Sequence, residues 1–343
     1  MAKTKYLPVF DYIRMLALFL VVLVHTQPFI VEQTFDIHNW VLYLIFFLGK
    51  LGVPLFVMIS GALLLGKVES NKTFFSKRLK RIILPWIFWS IALFVCGLQL
   101  PSSFSLVNLF KRGLIIFLSD YWFMPMLVGL YVLTPLFRKI VSSTANFSYI
   151  FLVWFGVVSI LPALFLGELF PGSSSAGLLN LTISFAGYYL LGFWLWQQKN
   201  QLFNSTWLVV SVIASATCYL LIAQLTKTDP NRLFFSLQDY FSPAIVIGSV
   251  SMFLLFIKNH QAKQLGPSKN ILQRLGRMTY GVFLSHILII QLLVATWQST
   301  NSQTGWQFSI GINWIIRAGL IYILSYLLIF GLQKIPKLQS LIT

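Results

Sequence analysis

The sequence predicts an all-α, polytopic integral membrane bundle, and three observations carry that expectation. Of its 343 residues, 57% are hydrophobic and only 10% are charged. The mean hydropathy is +0.80. Long apolar runs recur along the whole chain, from "MLALFLVVLV" near the N-terminus to "GLIYILSYLLIFGL" near the C-terminus. A water-soluble protein of this length could not cover so much apolar surface with so few charged side chains, so lipid is the solvent.

A spanning helix needs about 20 mostly apolar residues. That criterion places about ten spans, near 7–30, 40–65, 79–98, 121–138, 147–166, 178–197, 205–225, 240–257, 278–297 and 308–333. Together they make one membrane domain over residues 1–343. The stretch "FSLVNLFKRGLIIFLSD" (104–120) is too short and too charged to span, and reads as an interfacial segment leading into the fourth span. Loops are short, which leaves no room for a second domain. The chain shows no clear internal repeat, which weighs against an inverted-repeat transporter. The N-terminal run lacks a small-residue cleavage pattern and contains Arg14, so it is not read as a cleavable signal peptide. Cys96 and Cys218 lie inside apolar runs and are expected to be packing residues, neither a disulfide framework nor a metal site.

The formal net charge is +17. These basic residues form no patch or stripe of the kind that binds nucleic acid; they fall in short loops between apolar runs. With the N-terminus inside, the inner segments hold Lys3, Lys5, the cluster in "KVESNKTFFSKRLKR", Arg138, Lys139, Lys199, the 258–277 loop, Lys334 and Lys337. The outer loops hold only Lys111, Arg112, Lys227 and Arg232. The asymmetry predicts both termini in the cytoplasm and explains the charge without an acidic partner.

The first span, "FDYIRMLALFLVVLVH" (Phe10–His25), carries Asp11, Arg14 and His25 in an otherwise apolar helix. Ionisable groups in a bilayer are costly and mark function by default. Eleven residues turn a helix through about 1,100°, so Arg14 and His25 share one face about 16 Å apart along the axis. Asp11 lies one turn below Arg14, close enough to pair with it. That separation is too long for Arg14 and His25 to act on one atom and suits an extended substrate or cofactor. Lys50, Arg317 and His286 add further basic groups within the spans. A bundle interior with this excess of cations predicts an anionic ligand.

Plainer readings stand beside these. Arg14 at the inner interface and His25 at the outer one are also what snorkelling would produce. "KRLKR" (Lys77–Arg81) is what a positive-inside flank looks like, "YWFMPML" (Tyr121–Leu127) is what an aromatic belt looks like, and Ser60–Gly61 suits close helix packing.

Five segments in order resemble the acyltransferase family 3 membrane proteins, bacterial O-acyltransferases that modify cell-surface polysaccharides. "FDYIRMLALFLVVLVH" has the family's Arg-x10-His first helix and its preceding aspartate. "GVPLFVMISGALLL" (Gly52–Leu65) resembles the second-helix Ser-Gly signature, and "KRLKRIILPWIFW" carries Arg-x-x-Arg at Arg78 and Arg81 followed by Pro85. "YWFMPMLVGLYVLTPLF" (Tyr121–Phe137) and "LGRMTYGVFLSH" (Leu275–His286) match the later aromatic and Tyr…His segments.

The resemblance implies a ten-helix domain that takes an acyl group, usually acetyl, from cytoplasmic acyl-coenzyme A and delivers it to a glycan hydroxyl at the outer face. On that basis His25, Arg14 and Asp11 are the catalytic candidates. His25 serves as general base or acyl carrier, and Asp11 orients Arg14. Arg14, Arg78, Arg81, Lys50, Ser60, His286 and Arg317 are candidates for holding the donor, and Asp120, Tyr121 and Trp122 for binding the acceptor sugar. No metal is implied. The expected setting is the bacterial cytoplasmic membrane, among membrane lipid. A chain stopping at Thr343 leaves no fused esterase-like domain, so the expected partners are the glycan itself, a separate extracytoplasmic transferase or other polysaccharide-synthesis proteins. The competing expectations are a polysaccharide or lipid-linked glycan exporter and a scaffold subunit.

Overall fold

A computed structural model describes residues 6–26, 40–97, 106–141, 144–161, 178–199, 204–225, 240–260, 268–300 and 310–342. Among them every regular element is helical. In chain order these are α1 (Pro8–His25), α2 (Trp40–Lys50), α3 (Gly52–Leu64), α4 (Asn71–Cys96), α5 (Leu106–Ile115), α6 (Phe123–Ile140), α7 (Thr144–Phe155), α8 (Leu178–Gln197), α9 (Ser205–Leu225), α10 (Pro243–His260), α11 (Ser268–Thr300) and α12 (Ile310–Leu332). Short π segments follow α5 and α7, and a final turn spans Gln339–Ile342. The chain is thus an all-α, polytopic membrane bundle.

A helix lies in each of the ten expected spans. Seven described segments are long and apolar enough to cross a membrane: 8–25, 40–64, 71–96, 123–140, 205–223, 270–293 and 313–332. Shorter apolar helices cover Phe147–Ile160 and Pro243–Asn259. α8 spans 20 residues but carries Asn180, Thr182 and several Tyr and Trp side chains. Large apolar side chains face outward on many helices, among them Ile91, Leu152, Ile213 and Leu327. In lipid such exposure carries no hydrophobic cost.

Three element boundaries depart from the sequence expectation, the first two for a local reason. The second span is broken: α2 ends at Lys50 and α3 begins at Gly52. Pro54 has no N–H to give the Lys50 carbonyl, so the α-helical ladder cannot run through this point. Leu51 instead donates to Leu48 O at 3.1 Å, in a tighter turn. α4 starts at Asn71, eight residues before the expected span, because Ser70 caps it: its Oγ accepts from Thr73 N at 3.3 Å. The Arg78–Arg81 motif is therefore on a helix, not in a loop flanking one. α11 likewise begins at Ser268, so Arg274 and Arg277 are helical. Residues 106–115 form α5, whose exposed Leu106, Val107 and Phe110 give it the apolar face of an interfacial helix. Cys96 and Cys218 are free and exposed, which corrects their assignment as packing residues; a thiol is apolar enough to face lipid.

The chain divides into two compact units. Unit 1 comprises Met1–Val68 and Gly129–Gly276, and unit 2 comprises Glu69–Val128 and Arg277–Thr343. In unit 1, α3 is the hub, packed on α8, α1 and α10. Its contact with α8 is backbone on backbone: a Cβ at Gly61 would collide with the Tyr189 carbonyl, and one at Gly192 with Met58. Against α1, a Cβ at Gly52 would lie 2.7 Å from Ala17 O. Small residues allow this approach, and dispersion between the closely packed surfaces holds the helices together where lipid gives no hydrophobic drive. Polar ties add to it: Thr134 Oγ1 and Tyr189 Oη lie 2.9 Å apart, and Trp154 Nε1 donates to Ser184 O at 2.8 Å.

In unit 2, α4 packs against α5 and the π segment that follows it. Trp86 stacks on Phe117, with ring centroids 3.9 Å apart and planes 8° from parallel. Two tyrosine hydroxyls bond helix carbonyls across the unit. Tyr280 donates to Ile82 O at 2.8 Å, next to the turn opened by Pro85, and Tyr121 donates to Leu284 O at 2.9 Å.

Gly61→Ala is expected to destabilise the protein by about 1–3 kcal/mol, because the α3–α8 backbones must part. Gly319→Ala, where no atom lies within 4 Å, serves as the contrast and should be neutral or slightly stabilising. Melting temperatures in one detergent would check both.

Candidate functional site

The ionisable end of α1 is built by sequence-local geometry. Asp11 is 5% exposed, and its carboxylate accepts two bonds, from Arg14 Nη1 and from Tyr6 Oη, each at 2.7 Å. The Arg14 contact is an ion pair across one helical turn. Asp11 also sits in the first turn of α1, where the helix dipole favours a negative charge. Gly276 of α11 lies against the carboxylate, so closely that any side chain there would collide with it. Tyr6, just outside the span, has its hydroxyl acidity suppressed, first by burial and then by the Asp11 bond, and it remains a donor.

His25 ends the same helix. Its Nδ1 lies 2.8 Å from Val21 O. A carbonyl can only accept, so Nδ1 carries the hydrogen, and the neutral ring then has its lone pair on Nε2. The residue as a whole is exposed. A Cβ at Gly49 would lie 2.6 Å from Val24 Cγ2, so α2 closes on α1 here. Lys50 follows Gly49 at this closure, and ends α2. Lys50 itself lies over the Tyr240 ring at 4.4 Å and near Phe46 at 5.1 Å, in the last turn of α2, where a cation complements the dipole. Ser60 Oγ donates to Phe56 O at 3.0 Å within its own helix. Unit 1 thus brings together Asp11 with Arg14, and His25 with Lys50.

Unit 2 holds the other candidates. Arg78 pairs with Glu69 at 2.8 Å and lies over Phe74 at 4.8 Å. Arg81, three residues on, is exposed. His286 is fully buried on α11, with Nδ1 hydrogen-bonded to Phe283 O and its ring against Phe283. Tyr121 is only 1% exposed and docks on α11 at Leu284, two residues from His286. Asp120 is exposed and Trp122 half-buried. Partial enclosure raises the Asp120 carboxyl above the ordinary carboxylate range, and Arg112 opposes that shift. Arg112 also donates to the Gly97 carbonyl. Arg317 is half-buried on α12, beside buried Trp314 and Ala318.

Sequence reasoning missed several partners. Tyr6 and Glu69 lie outside the helices they serve, at spacings no helical rule links to Asp11 or Arg78. Gly276 shares a matched segment with His286, yet only the fold puts it against Asp11. The residues so arranged can hold a base with a defined tautomer, a paired arginine and a set of cations. Among the described residues no group of three His, Cys, Asp or Glu side chains has the geometry to hold a metal ion.

A family model described as an acyltransferase domain matches residues 7–334, nearly the whole chain. No curated protein and no solved structure matches it.

Breaking the Asp11–Arg14 pair from one side should cost more than removing it whole. Arg14→Met is expected to destabilise by roughly 2–3 kcal/mol, since it leaves Asp11 buried with a charge, whereas Asp11→Asn with Arg14→Met should recover about half of that. Thermal melts of the two variants and their wild type would measure the difference.

Proposed function

The chain belongs to acyltransferase family 3 and is a membrane acyltransferase; from that premise we propose that it moves an acyl group, acetyl in the first instance, from cytoplasmic acyl-coenzyme A to a hydroxyl of a cell-surface or lipid-linked glycan at the outer face. Ten spans with both termini in the cytoplasm of a bacterial cell fit this direction of transfer and the distribution of Lys and Arg. The observation that carries the reading is the His25 tautomer. With Nδ1–H given to Val21 O, Nε2 is the atom left to take a proton.

In the proposed step, His25 Nε2 accepts the proton of the acceptor hydroxyl as its oxygen attacks the thioester carbonyl. The C–S bond breaks, coenzyme A leaves as thiolate, and the imidazolium returns the proton to it. A covalent variant has Nε2 attack the thioester first. Arg14, held by Asp11, and Arg78 and Arg81 supply charge for the donor's phosphates, with Lys50, Ser60, His286 and Arg317 as further donor contacts. Arg78 must exchange Glu69 for a phosphate to do so. Asp120 and Trp122, both accessible, suit sugar hydrogen bonding and stacking. Tyr121, buried and bonded to Leu284 O, suits positioning them.

One observation favours a second reading, a glycan exporter. The break between α2 and α3 at Lys50–Gly52 is the kind of discontinuous helix on which transporters build sites. An exporter needs no thioester chemistry, so turnover separates the two.

His25→Ala is expected to abolish acyl transfer, a loss of at least about a thousandfold, while the protein stays folded and inserted. Wild-type turnover by that variant in nanodiscs, read as free thiol release from acetyl-coenzyme A, would overturn the mechanism. Arg14→Ala and Arg81→Ala should each weaken donor binding by about tenfold, and unchanged affinity in both would remove the case for a phosphate site.

A further inference from the structure

Unit 2 gathers polar side chains at one end, and that end is remote from its Lys77–Arg81 cations. α4 and α11 run in the same direction: Tyr280 bonds Ile82 O at one level, and Gln291 meets Gly97 at the other. Helical rise separates the two levels by about 16–22 Å. A Cβ at Gly97 would lie 2.5 Å from Gln291 Nε2 and 3.0 Å from Arg112 Nη2. Half-buried Arg112 donates to the Gly97 carbonyl, and exposed Asp120 lies within its electrostatic reach. Stacking of Phe117 on Trp86 and the Tyr121 bond to Leu284 O fix this stretch against α4 and α11. Arg112 thus joins Asp120, an acceptor-sugar candidate, to the end of α4 and to Gln291.

The helix that supplies Arg112 also has an accessible apolar face. Leu106, Val107, Phe110 and Leu114 of α5 occupy an arc of about 100°, and Leu106 and Phe110 are 74% and 73% exposed. Exposed Lys111 falls about 40° beyond that arc, and Arg112 about 100° further round. No carboxylate pairs with Lys111 among the described residues. Two adjacent cations on a segment read as outer run against the inward bias of positive charge, so they call for an anionic partner.

Around α5 the order is therefore apolar surface, cations, then the side where the sugar candidate Asp120 stands. A free polysaccharide has no use for the first of these, and bulk phospholipid has none for the last. A sugar joined through a phosphate to a membrane hydrocarbon chain presents the same three parts in the same order.

We propose that α5 and the segment after it bind a lipid-phosphate-linked glycan as the acyl acceptor. Its chain lies on Leu106, Phe110 and Leu114, its phosphate meets Lys111 and Arg112, and its sugar lies toward Asp120 and Trp122. This rests on the reading of Asp120 and Trp122 as acceptor contacts at the outer face, and it selects the lipid-linked acceptor over the free glycan.

The experiment measures binding to the full-length protein in phosphatidylcholine nanodiscs, with empty nanodiscs as the baseline for partitioning. The probes are dodecyl phosphoglucose, dodecyl glucoside, which lacks the phosphate, and glucose 1-phosphate, which lacks the chain. The phosphoglucose lipid is expected to bind at least about tenfold more tightly than either. Lys111→Gln, at an exposed position, should weaken it about fivefold and leave dodecyl glucoside unchanged. Adding Arg112→Gln should bring the loss to about twentyfold, and melting temperatures check that both variants fold. Wild-type affinity in Lys111→Gln overturns the proposal, whatever the double variant does. So does either truncated probe binding as tightly as the phosphoglucose lipid. Displacement of that lipid by an equal mole fraction of phosphatidylglycerol would make α5 an ordinary anionic-lipid contact, and also overturns it. Thiol release from acetyl-coenzyme A by the same samples reports on acyl transfer separately. Turnover without selective probe binding removes this inference alone. Selective probe binding without turnover leaves the lipid-linked glycan site, as an exporter would need it, and removes the acyl-transfer reading.

Discussion

A charge in a low-dielectric medium must be neutralised or solvated locally, and the first helix of this protein is organised around that requirement. Asp11 can be buried because Arg14, Tyr6 and the start of α1 all compensate it at once. Gly276 is the steric counterpart: the carboxylate and its two bonds occupy the space a side chain would take. A pair formed three residues apart on one helix needs no long-range folding to assemble. It therefore gives Arg14 a fixed place from which the rest of that helix, up to His25, is set in register by helical rise alone.

The second constraint is the close approach of backbones. In lipid the helices gain little from hiding apolar side chains, so their association depends on packing distance. α3 meets this with Gly52 against α1 and Gly61 against α8, and α8 answers with Gly192. The same helix begins at the break that Pro54 imposes, which leaves Lys50 at the end of α2 beside the aromatic rings of Phe46 and Tyr240. Glycine and proline here do opposite work along one span: one draws helices together, and the other interrupts the ladder where a cation sits.

Unit 2 follows a different logic. Its helix carbonyls are tied by tyrosine hydroxyls, Tyr280 to Ile82 and Tyr121 to Leu284, and α4 packs by aromatic stacking. Such a core is rich in donors. Where acceptors run out, at Trp86, Trp89 and Ser90, the helix is complete as a scaffold but incomplete as a set of hydrogen bonds.

Much of this was legible without coordinates, because the governing terms are local or compositional. Hydropathy and span length identify a helical membrane bundle, and three-residue spacing pairs Asp11 with Arg14 whatever surrounds them. The order of the motifs identifies the family. Other features needed the tertiary structure. Tyr6 on Asp11, Glu69 on Arg78 and the docking of Tyr121 on α11 join residues at spacings that no period predicts. The two plain readings of Ser60–Gly61 and Tyr121 also turned on packing, since only the fold reveals that Gly61 touches Tyr189 and that Tyr121 is enclosed. The physical reason is range: helical geometry and solvent preference act between neighbours along the chain, whereas burial and the supply of hydrogen-bond partners belong to whichever distant segments meet.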